Sequence, residues 1–119
     1  MSTPDQTCLL FVQLTPKAEE EAAFNQWYET EYIPAFVRDV PGIVRCRRFA
    51  SLDPDASGTR TYLTIYEFAD EAALRRGLEV MRSRDQWRAA WKDWEKRAVA
   101  SISDNLFRTT VSIAGSVRS

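Results

Sequence analysis

The segment 60–68, RTYLTIYEF, constrains the fold more than any other. It is rich in β-branched and aromatic residues, so it reads as a strand. Strand geometry puts Tyr62, Thr64, Tyr66 and Phe68 on one face and Leu63, Ile65 and Glu67 on the other. Both faces are apolar. An antiparallel strand with one wet face should alternate more cleanly. The sheet holding this strand therefore needs cover on both sides: its own helices on one, and on the other, most simply, a twofold-related copy.

The rest of the chain supplies the partners. Residues 8–14 (CLLFVQL) form a short apolar run, a second strand. A helix is expected next, with Thr15 as N-cap, Pro16 at its first position and Glu19, Glu20 and Glu21 in its first turn. Its apolar stripe is Ala23, Phe24, Trp27, Tyr28 and Ile33. Pro34 predicts a break near Tyr32 and Ile33, with one further turn over 35–39. Pro41 and Gly42 make a turn, 43–50 (IVRCRRFA) a strand, and 51–59 a hairpin loop. Asp70 caps a second helix lined by Leu74, Leu78 and Met81. A capping box over 83–86 opens its second piece, with Trp87, Ala90, Trp91, Trp94 and Ala98 on the buried line. The last strand is expected over 105–113, with Phe107, Thr109, Val111 and Ile113 on one side. The order β-α-β-β-α-β predicts an α+β, ferredoxin-like fold: a four-stranded antiparallel sheet with helices on one face. One domain spans 1–119, with 1–6 and 115–119 expected to be loose.

The chain has no histidine. That removes imidazole bases, Ser-His and Cys-His nucleophiles, and most zinc, haem and non-haem iron sites. No metal and no cofactor is expected. Cys8 and Cys46 lie far apart inside apolar runs and read as small buried hydrophobes. A net charge of −1 and a pI near 5.5 give no pull toward nucleic acid or anionic membrane. The strand aromatics alternate as RNA-stacking platforms do, but the glycine-containing motif of RNA-recognition modules is missing. No run approaches the ~20 apolar residues that span a bilayer. The polar N-terminus lacks a cationic leader, so a cytoplasmic location is expected.

Trp27, Tyr28, Glu31, Ile33 and Pro34, then Val40-Pro41-Gly42 and Arg47-Arg48-Phe49, resemble the EthD-like members of the dimeric α+β barrel superfamily. That superfamily is related to antibiotic-biosynthesis monooxygenases and polyketide cyclases. The resemblance implies a homodimer paired through its sheet faces into a barrel. It also implies a pocket for a hydrophobic small molecule between the first helix and the sheet. Relatives usually carry histidine before the Ile-Pro pair; Tyr32 stands there in this chain. The implied activity is a metal-free cyclase, isomerase, dehydratase or cofactor-free monooxygenase acting on an aromatic or polyketide-like compound. The alternative is a non-catalytic ligand-binding or accessory dimer that has lost the histidine.

Tyr32 is the candidate to donate to a substrate oxygen, and Arg47 to stabilise an anion. Trp27, Tyr28, Tyr66 and Trp87 are candidates to shape the cavity. For each a plainer reading stands beside the functional one. The aromatics fit core packing, and arginines on an edge strand block strand addition. Arg45 and Arg47 share one face of their strand and Arg48 the other, with Arg48 the near rival to Arg47. Tyr62 is assigned to packing between subunits.

Overall fold

The structure, a computed structural model, describes residues 5–83 and 85–116, with the side chains of 85–88 outside that description. Four strands form one antiparallel sheet: β1 (Cys8–Pro16), β2 (Ile43–Ala50), β3 (Tyr62–Phe68) and β4 (Val99–Arg108), in the order β2-β3-β1-β4. The helices are α1 (Glu21–Trp27), α2 (Ile33–Asp39), α3 (Glu71–Ser83) and α4 (Asp85–Ala98). A short 3-10 turn, Ala18–Glu20, leads into α1, and a π turn, Tyr28–Tyr32, joins α1 to α2. This is the α+β, ferredoxin-like arrangement, with both apolar crossovers laid on one face of the sheet.

Register decides which side chains meet the helices. Cys8, Leu10, Val12 and Leu14 of β1 pair with Phe68, Tyr66, Thr64 and Tyr62 of β3. Those four β3 residues are buried beneath the helices. Tyr62 is among them, not between subunits. Its hydroxyl donates to Glu21 Oε2 at 2.7 Å and accepts from Asn25 Nδ2 at 2.8 Å, which ties α1 to the sheet. On the opposite face Leu9, Phe11, Leu63 and Ile65 are half-buried, and Phe49 and Phe107 are exposed. At one end of that face Thr109, Val111 and Ser112 border a hollow beside Leu9 and Glu67.

The helix expected from Thr15 starts later. Thr15 and Pro16 still belong to β1, where Pro16 faces Val99 of β4 across a register shift. Thr15 Oγ1 bonds Thr61 Oγ1 at 2.9 Å across the sheet instead of capping. Pro16 at a strand end loses no ladder bond that matters, so the sheet claims it.

Pro34 does not break the helix either. Ile33 keeps helical angles (φ −60, ψ −48), and its N–H reaches the Tyr28 carbonyl five residues back. A proline ring ordinarily collides with the preceding turn. Widening that turn by one residue relieves the collision, and Pro34 then sits in the tolerated first turn of α2. Thr30 Oγ1 donates to the Gln26 carbonyl at 2.6 Å on the same turn.

The second helix begins as expected, with Asp70 Oδ1 accepting from the Ala73 N–H at 2.8 Å. Gly77 lets α3 approach the sheet: a Cβ there would lie 2.7 Å from the Phe68 ring. The capping box over 83–86 lies mostly outside the described residues.

β4 runs over Val99–Arg108, not 105–113. It starts where α4 ends at Ala98 and stops where Thr109 N–H reaches the Thr7 carbonyl. Val111 and Ile113 are left 70% and 85% exposed, so their alternation marks no strand. An edge strand with little burial carries too weak a hydrophobic pattern to set its bounds. Of the ends expected to be loose, residues 1–4 and 117–119 lie outside the described residues. No helix among the described residues is long and apolar enough to cross a membrane.

Candidate functional site

Two buried clusters fill the space under the helices. One gathers Phe36, Tyr66, Phe68, Leu74 and Leu78 around Leu10. The other gathers Phe24, Tyr28, Leu14 and Ala98, with Trp91 and Trp94 against them. Tyr32 packs against both. Between them lies a cavity of about 250 Å³, walled by Leu10, Val12, Phe36, Tyr66, Met81 and Trp91, with Tyr28 and Tyr32 on its helical side. Arg82, Ile102 and Asp104, all exposed, form its rim. An engineered apolar cavity of ~150 Å³ takes up benzene, so this volume suits a larger, bicyclic ligand.

The aromatic walls are ordered by one another. Tyr28 and Tyr32 stack with centroids 5.0 Å apart at 18°. Tyr32 meets Trp91 at 5.5 Å and Phe36 at 5.9 Å, and Phe36 meets Tyr66 at 4.5 Å. The π turn delivers Tyr28 and Tyr32, and continuity into α2 adds Phe36 on the same side.

Burial pushes the phenols of Tyr28, Tyr32 and Tyr66 above the usual tyrosine value. Arg48 and hydrogen bonding oppose the shift at Tyr28. All three phenols are therefore protonated near neutral pH: they can donate a hydrogen bond but cannot take a proton. They differ in access. Tyr28 and Tyr66 are buried, whereas Tyr32 is half-buried and reachable. The Tyr66 hydroxyl is sealed and lacks a hydrogen-bond partner of normal geometry.

Of the expected site residues, Tyr32, Tyr28 and Tyr66 come together on the cavity. Trp27 does not line it; it stacks on Trp94 at 5.2 Å and backs Tyr32 at 5.3 Å. The Trp87 side chain lies outside the described residues. Arg47 lies on the other face of the sheet, opposite Ile65, 3.5 Å from Glu67 and over the Phe49 ring. The period of two along β2 turns Arg48 inward instead. Its side chain is 6% exposed, and its NH1 donates to Asn25 Oδ1 at 2.9 Å and Glu29 Oε2 at 2.7 Å. The guanidinium lies 4.7 Å from the Tyr28 ring centre and 4.2 Å from that of Tyr62. Its Nε and NH2 are buried without hydrogen-bond partners. Cys46, its neighbour, is a half-buried thiol raised by burial to about 11, which makes it inert.

Sequence reasoning missed Phe36, Arg82, Ile102 and Asp104 as cavity residues. The spacing of Tyr32 and Phe36, one helical turn, would have found Phe36 had Pro34 not been read as a break. Ile102 and Asp104 precede the expected start of the last strand. Among the described residues no group of three or more Cys, Asp or Glu is placed to hold a metal ion.

No family model and no curated protein matches this sequence. Solved structures do. A NIPSNAP-like domain protein from Burkholderia xenovorans, itself uncharacterized, superposes with a TM-score of 0.66 at 12% identity, over 97% of this chain and 94% of that one. A Bacillus cereus protein assigned to the antibiotic-biosynthesis monooxygenases gives 0.62 at 10% identity, over 92% and 99%. SnoaB, a cofactor-independent oxygenase from Streptomyces nogalater, gives 0.61 at 19% identity, over 92% and 99%. At such identities the likeness shows the fold: a ferredoxin-like α+β chain of the kind found in antibiotic-biosynthesis monooxygenases and NIPSNAP-like proteins.

Proposed function

We propose that the protein is a homodimer that binds a hydrophobic, aromatic small molecule between its helices and sheet and transforms it without a metal. The observation that carries this is the cavity itself, apolar-walled and edged by protonated phenols. Such a site offers hydrogen-bond donation to a developing anion from within an apolar wall. Tyr32 is the donor, being the reachable phenol of the three. Arg48, and not Arg47, is the arginine on the helix side; it does not line the cavity but is held against the ring of Tyr28, a wall residue. Cyclisation, isomerisation, dehydration and cofactor-free oxygenation all proceed through such anions. The fold shared with SnoaB and the EthD-like motif residues agree with this class. The half-buried apolar residues of the open face support pairing of two sheets.

A second reading is favoured by the missing histidine together with the protonated phenols: a dimer that binds the same ligand and does no chemistry on it. Native mass spectrometry of the purified chain tests the common ground. A dimer that carries or takes up an aromatic molecule is expected. A monomer, or a dimer that neither holds nor takes up one, overturns the proposal. Tyr32→Phe then separates the readings: loss of turnover with retained binding supports the enzyme, while wild-type binding with no turnover of any bound compound supports the accessory dimer.

A further inference from the structure

Chemistry through an enolate or phenolate needs a group to take the proton, and the walls of this cavity exclude most residue types. There is no imidazole in the chain. The three phenols keep their protons. Arg82 is a cation, and the Cys46 thiol does not line the cavity. Among the described lining residues a single carboxylate is left. Asp104 stands on β4 opposite Val12, which is itself a wall residue, so its side chain is on the helix side of the sheet. Its alternation partners Ile102 and Leu106 face the same way, opposite Leu14 and Leu10. A carboxylate among apolar neighbours on an edge strand gains nothing for packing.

From this placement we propose that Asp104 is the catalytic base of the cavity, and that its substrate is a neutral bicyclic aromatic compound with a carbon acid already activated by a neighbouring carbonyl. The inference rests on the reading of the cavity as a small-molecule site. Carboxylates as a class are weak bases. Such a base therefore suits only protons that are acidic to begin with, such as those on a carbon between a carbonyl and an arene. Asp104 takes that proton. The C–H electron pair becomes the enolate double bond, and the carbonyl pair moves onto oxygen, where the Tyr32 phenol donates a hydrogen bond. Return of the proton to a different carbon gives an isomer; attack of the enolate carbon on a second carbonyl forms the ring bond, the carbonyl pair moves onto its oxygen, and that oxygen takes the proton back from Asp104. No oxidant is required for either outcome.

Deuterium exchange of 2-tetralone tests this on the full chain. The probe is bicyclic, and its most acidic protons lie between arene and ketone. Binding is followed by quenching of tryptophan fluorescence, since Trp91 is on the wall. Exchange at that carbon in heavy water is followed by proton NMR. General-base catalysis contributes about 10²–10⁴-fold, so the wild type should exceed the buffer rate by at least about 100-fold. Asp104→Asn should bind the probe and return exchange to the buffer rate. Asp104→Glu should recover part of it. Binding without accelerated exchange overturns the assignment and leaves the cavity reading intact, as does undiminished exchange in Asp104→Asn. Failure of the wild type to bind the probe overturns both.

Discussion

The two faces of the sheet are built from alternate residues of the same strands, yet they have opposite characters. On the helix face Tyr62, Thr64, Tyr66 and Phe68 are closed off by the protein's own crossovers. On the open face Leu63 and Ile65 stay half-buried beside the ion pairs of Glu67 with Arg45 (2.7 Å) and Arg47 (3.5 Å). The helix face has been completed within one chain and has room left for a ligand. The open face keeps apolar area partly exposed, with shallow hollows beside Glu67 and Leu9 instead of a closed core. Adjacent residues such as Arg47 and Arg48 can thus belong to different chemistries.

The sharpest way to break this contrast is to truncate one residue on each face. Phe68→Ala empties a fully buried ring site and should cost about 3–5 kcal/mol in denaturant unfolding at fixed protein concentration. Ile65→Asp, three residues away, should leave the fold standing but halve the mass seen by native mass spectrometry. If the mass stays unchanged, the open face is not the dimer surface. A smaller effect separates the two arginines. Arg48→Ala removes a buried guanidinium held between two rings and should cost about 1–3 kcal/mol. Arg47→Ala removes a surface partner of Glu67 and should change stability by less than about 0.5 kcal/mol. Equal losses would deny that the faces differ.

The mildest probe is alkaline pH. The chain has four tyrosines, all on the helix side and all with phenols raised above the usual value, first by burial. The unfolded chain ionises first. Their contribution to stability is therefore complete below about pH 10 and is lost as pH rises further through the folded values. Phenolate absorbance should appear together with unfolding. Ionisation of most phenols in a still-folded protein would show that the helix face opens to solvent without unfolding.

Much of this was legible in the residues. The two-sided β3, the apolar stripes of the helices and the Asp70 cap were enough to predict the order of elements and the packing of the helices on one face of the sheet. Where the reading failed, a local rule met a tertiary competitor. Thr15 and Pro16 look like a helix start, but pairing with β4 holds them in the sheet. Pro34 looks like a break, but a π turn absorbs it. Residues 105–113 look like the strand because apolar alternation is all that shows; pairing with β1 selected Val99–Arg108.

By itself, then, the sequence determined the fold class, the absence of imidazole chemistry and the aromatic character of 26–34, since these depend on residue type and local spacing. It was also enough to bring Tyr28, Tyr32 and Tyr66 forward as candidates. Tertiary structure alone decided that Arg48 and not Arg47 faces the helices, because strand alternation labels two faces without saying which is inside. It alone decided that Phe36 and Asp104 meet Tyr32 at one cavity, because a cavity forms from residues far apart in the chain, brought together by sheet register and helix packing that no local pattern encodes.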